Sequence, residues 1–487
     1  LTWKEHILHL VEKCQKRINV LKLLTGSKWG ADKETMIILY KTLIRSVLDY
    51  GCVVYFSAAD TNLKSLDIVQ SQALRLCCGA LKCTPVEALE VECGIPPLSI
   101  RRKYIAFQTA IRYNNMAENP IKECFQDCCY QLYYGKFNDH FKPLKLKVEL
   151  ELANSGKAYT CQVEDRIPPF VYEPMLCDTE IHNQISKNFD SPHVMLAISQ
   201  EHMQKWTNSL HIYTDGSKRE HKSGCAFYVP FLKFSRKFRL SDYTSVYMAE
   251  MVAILEALRF LLEKPPTSCV IFSDSFSCIQ TIESGRDMDA VSQEIRFCMY
   301  QLWCQGIPVD LCWIPSHVGI QGNEMVDTLA KEALMLDTVN YVTLKTIPEI
   351  NKLIEKRMLE EWQNVWDSSR RGRFYHKIQP IVTNDVKFSD INKLKQTSIT
   401  RLRFGKCKLG DVLFMFGKRE NNNCEICHVK EDVEHYIMNC NKYTDFQVDR
   451  NDKLLMAETI PYVEVLLGND KWYDDLWTYI CNTGAEL

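Results

Sequence analysis

The sequence predicts an α/β fold at the centre of the chain, a mixed five-stranded sheet with helices, flanked by helical N-terminal and C-terminal regions. Three observations carry this. Trp206–Tyr213, Cys269–Ser273 and Val309–Ile314 are apolar, β-branched runs of strand length. Between the first two, apolar residues at 247, 251, 254, 255, 258, 261 and 262 keep helical spacing. Both ends of the chain carry helical periods of their own.

The first strand delivers Asp215 to its end, because Gly216 then releases the chain into a turn. Asp-Gly is a common turn pair, so a lone acid there would signify only turn chemistry. Three more carboxylates alter that reading. Glu250 lies beside the apolar stripe of its helix, at the boundary with the core, whereas Glu256 falls on the wet side. Asp274 follows the strand 269–273 just before a helix from Ser275, and open α/β sheets place their sites at the carboxyl ends of strands. Asp327 sits in a helix that opens near Asn323 and carries Met325, Val326, Leu329, Ala330 and Ala333 on its apolar side. Upstream of it, His317 stands in the loop Pro315–Gly319, where a histidine can equally be a satisfied loop residue.

Four acids and a histidine so distributed suit divalent-metal chemistry on phosphodiesters. Mg²⁺ and Mn²⁺ take carboxylate oxygens, and two ions roughly 4 Å apart steady both the attacking and the leaving oxygen. Tyr213–Ser217, Ala249–Glu250, Ser273–Ser275 and Ser316–Gly319 with Asn323–Asp327 resemble the type 1 ribonuclease H family, in identity and in the succession β-β-β-α-β-α-α-β-α, over about 205–340. The resemblance implies a ribonuclease H-like sheet in which Asp215 bridges two Mg²⁺ (or Mn²⁺) ions, Glu250 and Asp274 complete one, and Asp327 helps hold the other. His317 would shuttle a proton or assist product release. The implied reaction is endonucleolytic hydrolysis of the RNA strand of an RNA·DNA hybrid, leaving a 3′-hydroxyl and a 5′-phosphate, with the 2′-hydroxyl marking the RNA.

At 487 residues, length suggests about three domains, and 46% hydrophobic content suffices for ordinary cores. Lys+Arg 59 against Asp+Glu 61 leaves a net charge of -2, so any basic surface must be local. The 22 cysteines lack the density of a small secreted scaffold, and pairs such as Cys77-Cys78 and Cys128-Cys129 suit reduced thiols in an intracellular compartment, cytoplasm or nucleus. No apolar run reaches membrane-spanning length, which argues against a membrane partner.

The N-terminal region, 1–130, carries amphipathic helices over Ile7–Leu21, Thr35–Leu48 and Leu63–Leu76, the last with Lys64, Gln70 and Arg75 outward. Its cationic faces read equally as solvated helix surface. Leu1–Ile7, Leu39–Gly51, Gln72–Leu76 and Cys93–Leu98 resemble the segment after the polymerase palm, thumb- or connection-like, in non-LTR retrotransposon polyproteins of the Jockey and I type. A reverse transcriptase needs paired aspartates on a hairpin, and Asp474-Asp475 follows Trp472-Tyr473 without that context. The expectation is therefore a C-terminal portion of such a polyprotein, without the palm. Element-encoded polymerase or nucleocapsid-like proteins are the implied partners, beside the RNA·DNA hybrid.

Residues 131–204 read as a linker with short elements, broken by Pro168-Pro169 and Pro174. Near its end Ser191-Pro192 has the form of a helix start, with a helix running through Met203 and packing on the α/β domain, 205–340. Within that domain Ser217 and Lys218 are the expected nucleic-acid contacts, among cations at Arg219, Lys222, Lys233, Arg236, Lys237 and Arg239. Solubility charge is the competing reading. The connection Gly285–Asp289 leaves no room for an extra basic helix, so grip on a hybrid would depend on neighbouring domains.

The tail, 341–487, opens with an amphipathic helix over Ile350–Trp366, in which Trp362 and Trp366 read as core. A cationic tract follows at Arg370, Arg371, Arg373, Lys393, Lys395, Arg401, Arg403, Lys406 and Lys408, and Arg401 and Arg403 are expected to face phosphates. Cys424, Cys427, His435 and Cys440 form a C-x2-C-x7-H-x4-C pattern, which closes tetrahedrally on a structural Zn²⁺; His428 is a less well spaced competitor. Arg401-Leu402-Arg403 and Val433-Glu434-His435 also resemble the zinc-binding tail of the same polyproteins. The function expected is thus a metal-dependent ribonuclease H, the alternatives being a catalytically inactive nucleic-acid-binding remnant and an interaction scaffold.

Overall fold

The computed structural model of the protein describes residues 3–26, 28–56, 58–114, 176–185, 191–284, 290–343, 347–386, 391–456, 462–485 and 487. The expected breakers Pro168, Pro169 and Pro174, the Cys128-Cys129 pair and the connection Gly285–Asp289 lie outside these residues.

In chain order, α1 (Lys4–Leu24) and α2 (Lys33–Leu39) lead into a π-helical turn, Tyr40–Arg45, then α3 (Ser46–Asp49), α4 (Asp60–Cys78), α5 (Val86–Cys93) and α6 (Leu98–Asn114). Next come β1 (Leu176–Asp178), a 3-10 turn at Glu180–Asn183, α7 (Pro192–Met203), β2 (Leu210–Arg219), β3 (Lys222–Val229) and β4 (Phe234–Arg239). They are followed by α8 (Val246–Glu263), β5 (Cys269–Ser273), α9 (Phe276–Ser284), α10 (Ala290–Cys304), β6 (Val309–Trp313) and α11 (Gln321–Ala333). The last part holds α12 (Ile347–Ser368), α13 (Arg373–Ile378), α14 (Lys393–Arg403), α15 (Gly410–Met415), a π-helical turn at His435–Asn439, α16 (Thr444–Met456), α17 (Val463–Gly468) and α18 (Tyr473–Thr483). Asp474 and Asp475 lie in the first turn of α18.

The described residues fall into two compact units, one drawn from the chain up to Ala110 and from Ile354 onward, the other from Ile111 to Leu353. In the second, the strands form one sheet in the order β1-β6-β5-β2-β3-β4. The sheet has six strands among the described residues where five were expected. The additional strand, β1, pairs parallel with β6 through Leu176–Asp178, and three residues are too few to show a period of two. Both faces of the sheet are covered, and successive β2 residues divide between them. Ile212, with Phe227, Ile271 and Leu311, packs against α8 and α10. Tyr213, with Val270 and Phe272, packs against Met195 of α7 and against Val326 and Ala330 of α11. The expected start of α7 is present: Ser191 accepts a hydrogen bond from Val194 N and Pro192 takes the first turn.

In the first unit the helices of the two chain ends share one hydrophobic core. Ile7, Leu10 and Ile18 of α1 and Leu66 and Ala73 of α4 belong to the same cluster as Trp362 and Trp366 of α12 and Leu476 of α18. A buried charged network runs through it. Lys33 Nζ lies 2.5 Å from Glu92 Oε1, and Arg403 donates to Glu92 Oε2 at 3.2 Å. Burial alone would raise the Glu92 carboxyl, but Arg403 and Lys33 beside it hold it down at about 2. Gln70, expected outward, is buried; Tyr40 donates to its Oε1 at 2.6 Å and its Nε2 donates to Glu90 at 3.0 Å. Cys77 and Cys78 are free thiols in this core. No helix among the described residues is long and apolar enough to cross a membrane.

Candidate active site and zinc centre

The register of the parallel strands brings the first two acids together. Thr214 of β2 pairs with Ser273 of β5, and Ser273 with Trp313 of β6, at the end of the shared parallel ladder. The next residues along, Asp215 and Asp274, emerge side by side at the carboxyl edge. The local prediction was wrong in one respect: β2 does not stop at Asp215. It continues to Arg219, pairing antiparallel with β3 through Asp215↔Ala226 and Gly216↔Cys225. Gly216 is therefore a strand residue, and what it provides is clearance, since a Cβ there would lie 2.5 Å from Glu250 N.

That clearance lets the first turns of α8 reach the sheet. Ser245 caps the helix by accepting from Met248 N, and Glu250 is buried against Asp215. Ligand-capable oxygens of Asp215, Glu250 and Asp274 all lie within 4.8 Å of one another. Glu256, expected on the wet side, is buried as well, with Arg259 Nη1 donating to it at 2.6 Å.

Asp327 and His317 form a second group. With Glu324 they offer ligand atoms within 4.8 Å of one another, and Asp215, Glu250, Asp274, His317 and Asp327 line one cavity of about 620 Å³. His317 is exposed and takes a left-handed backbone, φ 55°. Lys331, one turn on from Asp327, lies 2.7 Å from its Oδ2. Glu324 was not singled out from the sequence, although its place three residues before Asp327 puts both on one face of α11. Asn323 was read only as the opening of this helix; it is buried and its Nδ2 donates to Asp274 Oδ2 at 3.4 Å.

Crowding of these acids shows in their titration. The Asp215 carboxyl is pushed up to about 7, first by burial and then by the Asp274 charge. Glu250 is raised by burial and then by Asp215, and its Oε2 is buried without a hydrogen-bond partner. An orphaned buried carboxylate oxygen beside two further carboxylates fits a hard divalent cation, whose charge would relieve the repulsion.

The expected nucleic-acid contacts separate. Ser217 is half-buried and Lys218 exposed on β2, where they pair with Gly224 and Ser223. Arg401 and Arg403 do not face solvent, contrary to expectation. Both are buried: Arg401 donates to Gly79 O at 2.8 Å and Leu487 O at 2.8 Å, and Arg403 serves Glu92, Tyr375 and Tyr473. Lys393 and Lys395 of the same tract are buried too.

Cys424, Cys427, His435 and Cys440 offer ligand atoms within 4.8 Å of one another. The bridge Asn423↔Lys430 closes the Cys424–Cys427 knuckle, and His428 stands outside the group with a left-handed φ of 58°. His435 Nε2 is buried with no hydrogen-bond partner. Burial would raise the Cys424 thiol, but the Cys427 backbone N–H and the His435 side chain bring it down to about 7. An imidazole and three sulfurs gathered within 4.8 Å of one another fit tetrahedral Zn²⁺.

Sheet, helices and acidic cleft together define a ribonuclease H-like fold. Residues 207–335 match the family described as RNase H. The chain is 33% identical over 132 residues to a Pol polyprotein of equine infectious anemia virus (strain Wyoming), an overlap of 27% of this chain and 11% of the viral protein. It is 24% identical over 178 residues to the retrovirus-related Pol polyprotein from type-1 retrotransposable element R1 2 of Nasonia vitripennis, covering 34% of this chain and 42% of that protein. A ribonuclease H of Campylobacter jejuni (strain RM1221) is 27% identical over 135 residues, 26% of this chain and 91% of the bacterial protein. Among solved structures, RNase H1 of Halobacterium salinarum NRC-1 is similar at 17% identity and a TM-score of 0.22, covering 26% of this chain and 98% of that one.

Proposed function

We propose that this chain hydrolyses the RNA strand of RNA·DNA hybrids in the cleft of Asp215, Glu250, Asp274 and Asp327. The observation that carries this reading is the convergence of three carboxylates within 4.8 Å at the carboxyl edge of the parallel strands. Two bound Mg²⁺ or Mn²⁺ ions would supply an activated water and charge stabilisation at the phosphorus. Asp215, Glu250 and Asp274 would hold one ion, and Asp327, with Glu324 and His317 at hand, the other. Asp215 and Asp327 line the same cavity, and Asp215 would bridge the two ions. Asn323, whose Nδ2 donates to Asp274 Oδ2, would help hold that carboxylate in the cleft. Water oxygen bonds to phosphorus as the P–O3′ bond breaks, and the departing 3′-oxygen takes up a proton. His317, exposed at the rim, is placed to pass that proton or to help the 5′-phosphate leave. Ser217 and Lys218, on β2 beyond Asp215, would contact the hybrid.

The similarity to Pol polyproteins supports a retroelement origin; the Jockey or I type, and element-encoded polymerase or nucleocapsid-like proteins as partners, are the finer reading proposed with it. The cysteine and histidine cluster at 424–440 would hold a structural Zn²⁺. Free buried thiols support a reducing, intracellular setting. The test is incubation of purified protein with labelled RNA·DNA hybrid and Mg²⁺, beside Asp274→Asn. Loss of RNA in the wild type alone is the expected result. Retardation of the hybrid without cutting would replace this reading with that of an inactive nucleic-acid-binding remnant.

A further inference from the structure

With Arg401 and Arg403 buried, the helical unit must meet nucleic acid elsewhere if it does so at all. One hollow of about 390 Å³ in that unit is lined by Lys41, Arg45, Asp49, Arg101, Tyr104 and Glu355. Its charges do not balance. Arg101 Nη2 lies 3.0 Å from Asp49 Oδ2, and Arg45 Nε lies 3.6 Å from the same oxygen, so one carboxylate serves two guanidiniums. Glu355 accepts from Asn384 at 2.6 Å. Lys41 is exposed and has no carboxylate partner among the described residues. Three cations thus face two carboxylates. Arg45 is kept in place against a penalty, first from burial and then from the neighbouring Arg101.

Backbone geometry supports a purpose for the arrangement. Lys41 and Arg45 both belong to the π-helical turn Tyr40–Arg45, and such turns concentrate at functional sites because the extra residue re-aims side chains. Beside the cations is one flat ring, and a second follows Asp49 along the chain. Tyr104 lies half-exposed with the Arg101 guanidinium 5.4 Å over its ring, and Tyr50, directly after Asp49, is 86% exposed.

We propose that this hollow seats a backbone phosphate of single-stranded nucleic acid, with Tyr104 and Tyr50 presented to neighbouring bases. Paired guanidiniums match the oxygens of a phosphate, and exposed rings serve unstacked bases, which a duplex does not offer. An acidic peptide would make use of the charge but not of the rings. The proposal is independent of hydrolysis at the acidic cleft.

The experiment is fluorescence anisotropy of a labelled single-stranded thymidine oligonucleotide with the full chain, across a salt series. Lys41→Glu and Arg101→Gln are each expected to weaken binding about fivefold and to flatten the salt dependence by about 0.7 in slope for each phosphate no longer neutralised. Hydrolysis of a short hybrid should be unchanged in both, so a failure here is distinct from a failure of the nuclease reading. Should Arg101→Gln lower the melting temperature, the exposed Lys41→Glu decides. Wild-type affinity and slope in Lys41→Glu would overturn the proposal. So would displacement of the oligonucleotide by inorganic phosphate or polyglutamate as effective as by unlabelled oligonucleotide.

Discussion

A methyl group built on Gly216 would lie 2.5 Å from the backbone nitrogen of Glu250 and 2.9 Å from the Ala249 Cβ. Two acids of the cleft are therefore set against each other by the absence of a side chain between them. Gly216→Ala must push α8 away from β2, and a displacement of about 1 Å at reacting groups costs on the order of a hundredfold in rate. The expected outcome is a loss of hybrid hydrolysis of that size with the helical circular-dichroism signal retained. Near-wild-type activity in Gly216→Ala would show that the separation of Asp215 and Glu250 is not critical.

The three crowded carboxylates repel one another while no cation is bound. Mg²⁺ should raise the melting temperature of the wild type by an amount that grows with concentration, as for any ligand that prefers the folded state. Asp274→Asn removes one charge and one ligand at once. It should melt higher than the wild type without Mg²⁺ and gain less from its addition. Differential scanning fluorimetry over a Mg²⁺ series measures both, and equal gains in the two proteins would refute the cation site.

The parts of this molecule that were legible in the sequence are those whose signal is local and periodic. Helical spacing around Glu250, an apolar run before Asp274 and the Ser191-Pro192 start of α7 all read directly. Gly216 was misread because Asp-Gly looks the same whether it makes a turn or gives clearance to a helix. Gln70, Arg401 and Arg403 were misplaced because their partners are remote: the acceptors of Arg403 include Glu92, 311 residues away. A polar residue on an amphipathic helix is assigned to solvent by pattern alone, and only tertiary structure reveals that a second polar group meets it in the core. β1 falls in the stretch read as a linker with short elements, and its three residues were too few to assign it to the sheet.

Glu90 gives the helical unit a pH dependence with a definite sign. Burial is the chief cause that pushes its carboxyl up to about 8, from 4.5 for the free group. Between those values the folded chain keeps a proton that the unfolded chain has lost. Stability therefore falls as pH rises from about 4.5 to about 8 and stays low above that. Glu90→Gln imitates the protonated carboxyl at every pH. It should remove this slope and leave the variant more stable than the wild type at pH 8 by a few kcal/mol, on the order expected for such a shift. Urea melts at several pH values test this, and a wild-type slope in the variant would exclude Glu90 as its source.

Metal removal should unsettle more than the knuckle. His435 opens the π-helical turn whose next residues, Tyr436 and Ile437, are in the core of the helical unit. Tyr479 of α18 donates to Tyr436 O at 2.6 Å, and the Tyr436 and Thr483 hydroxyls are 2.6 Å apart. If Cys424, Cys427, His435 and Cys440 bind Zn²⁺, its loss leaves an imidazole and three thiols crowded without a partner and frees the segment that anchors α18. A zinc-selective chelator should release one Zn²⁺ per chain, measured with a colorimetric zinc indicator, and lower the melting temperature. Cys440→Ser should reproduce the lower temperature and make it insensitive to the chelator. Structural zinc contributes about 10–16 kcal/mol in isolated finger peptides. Here the surrounding core shares the task, so a smaller loss is expected, with α18 exchanging its amide hydrogens faster than α4. Unchanged exchange in α18 after complete zinc release would separate the metal from the stability of the helical core.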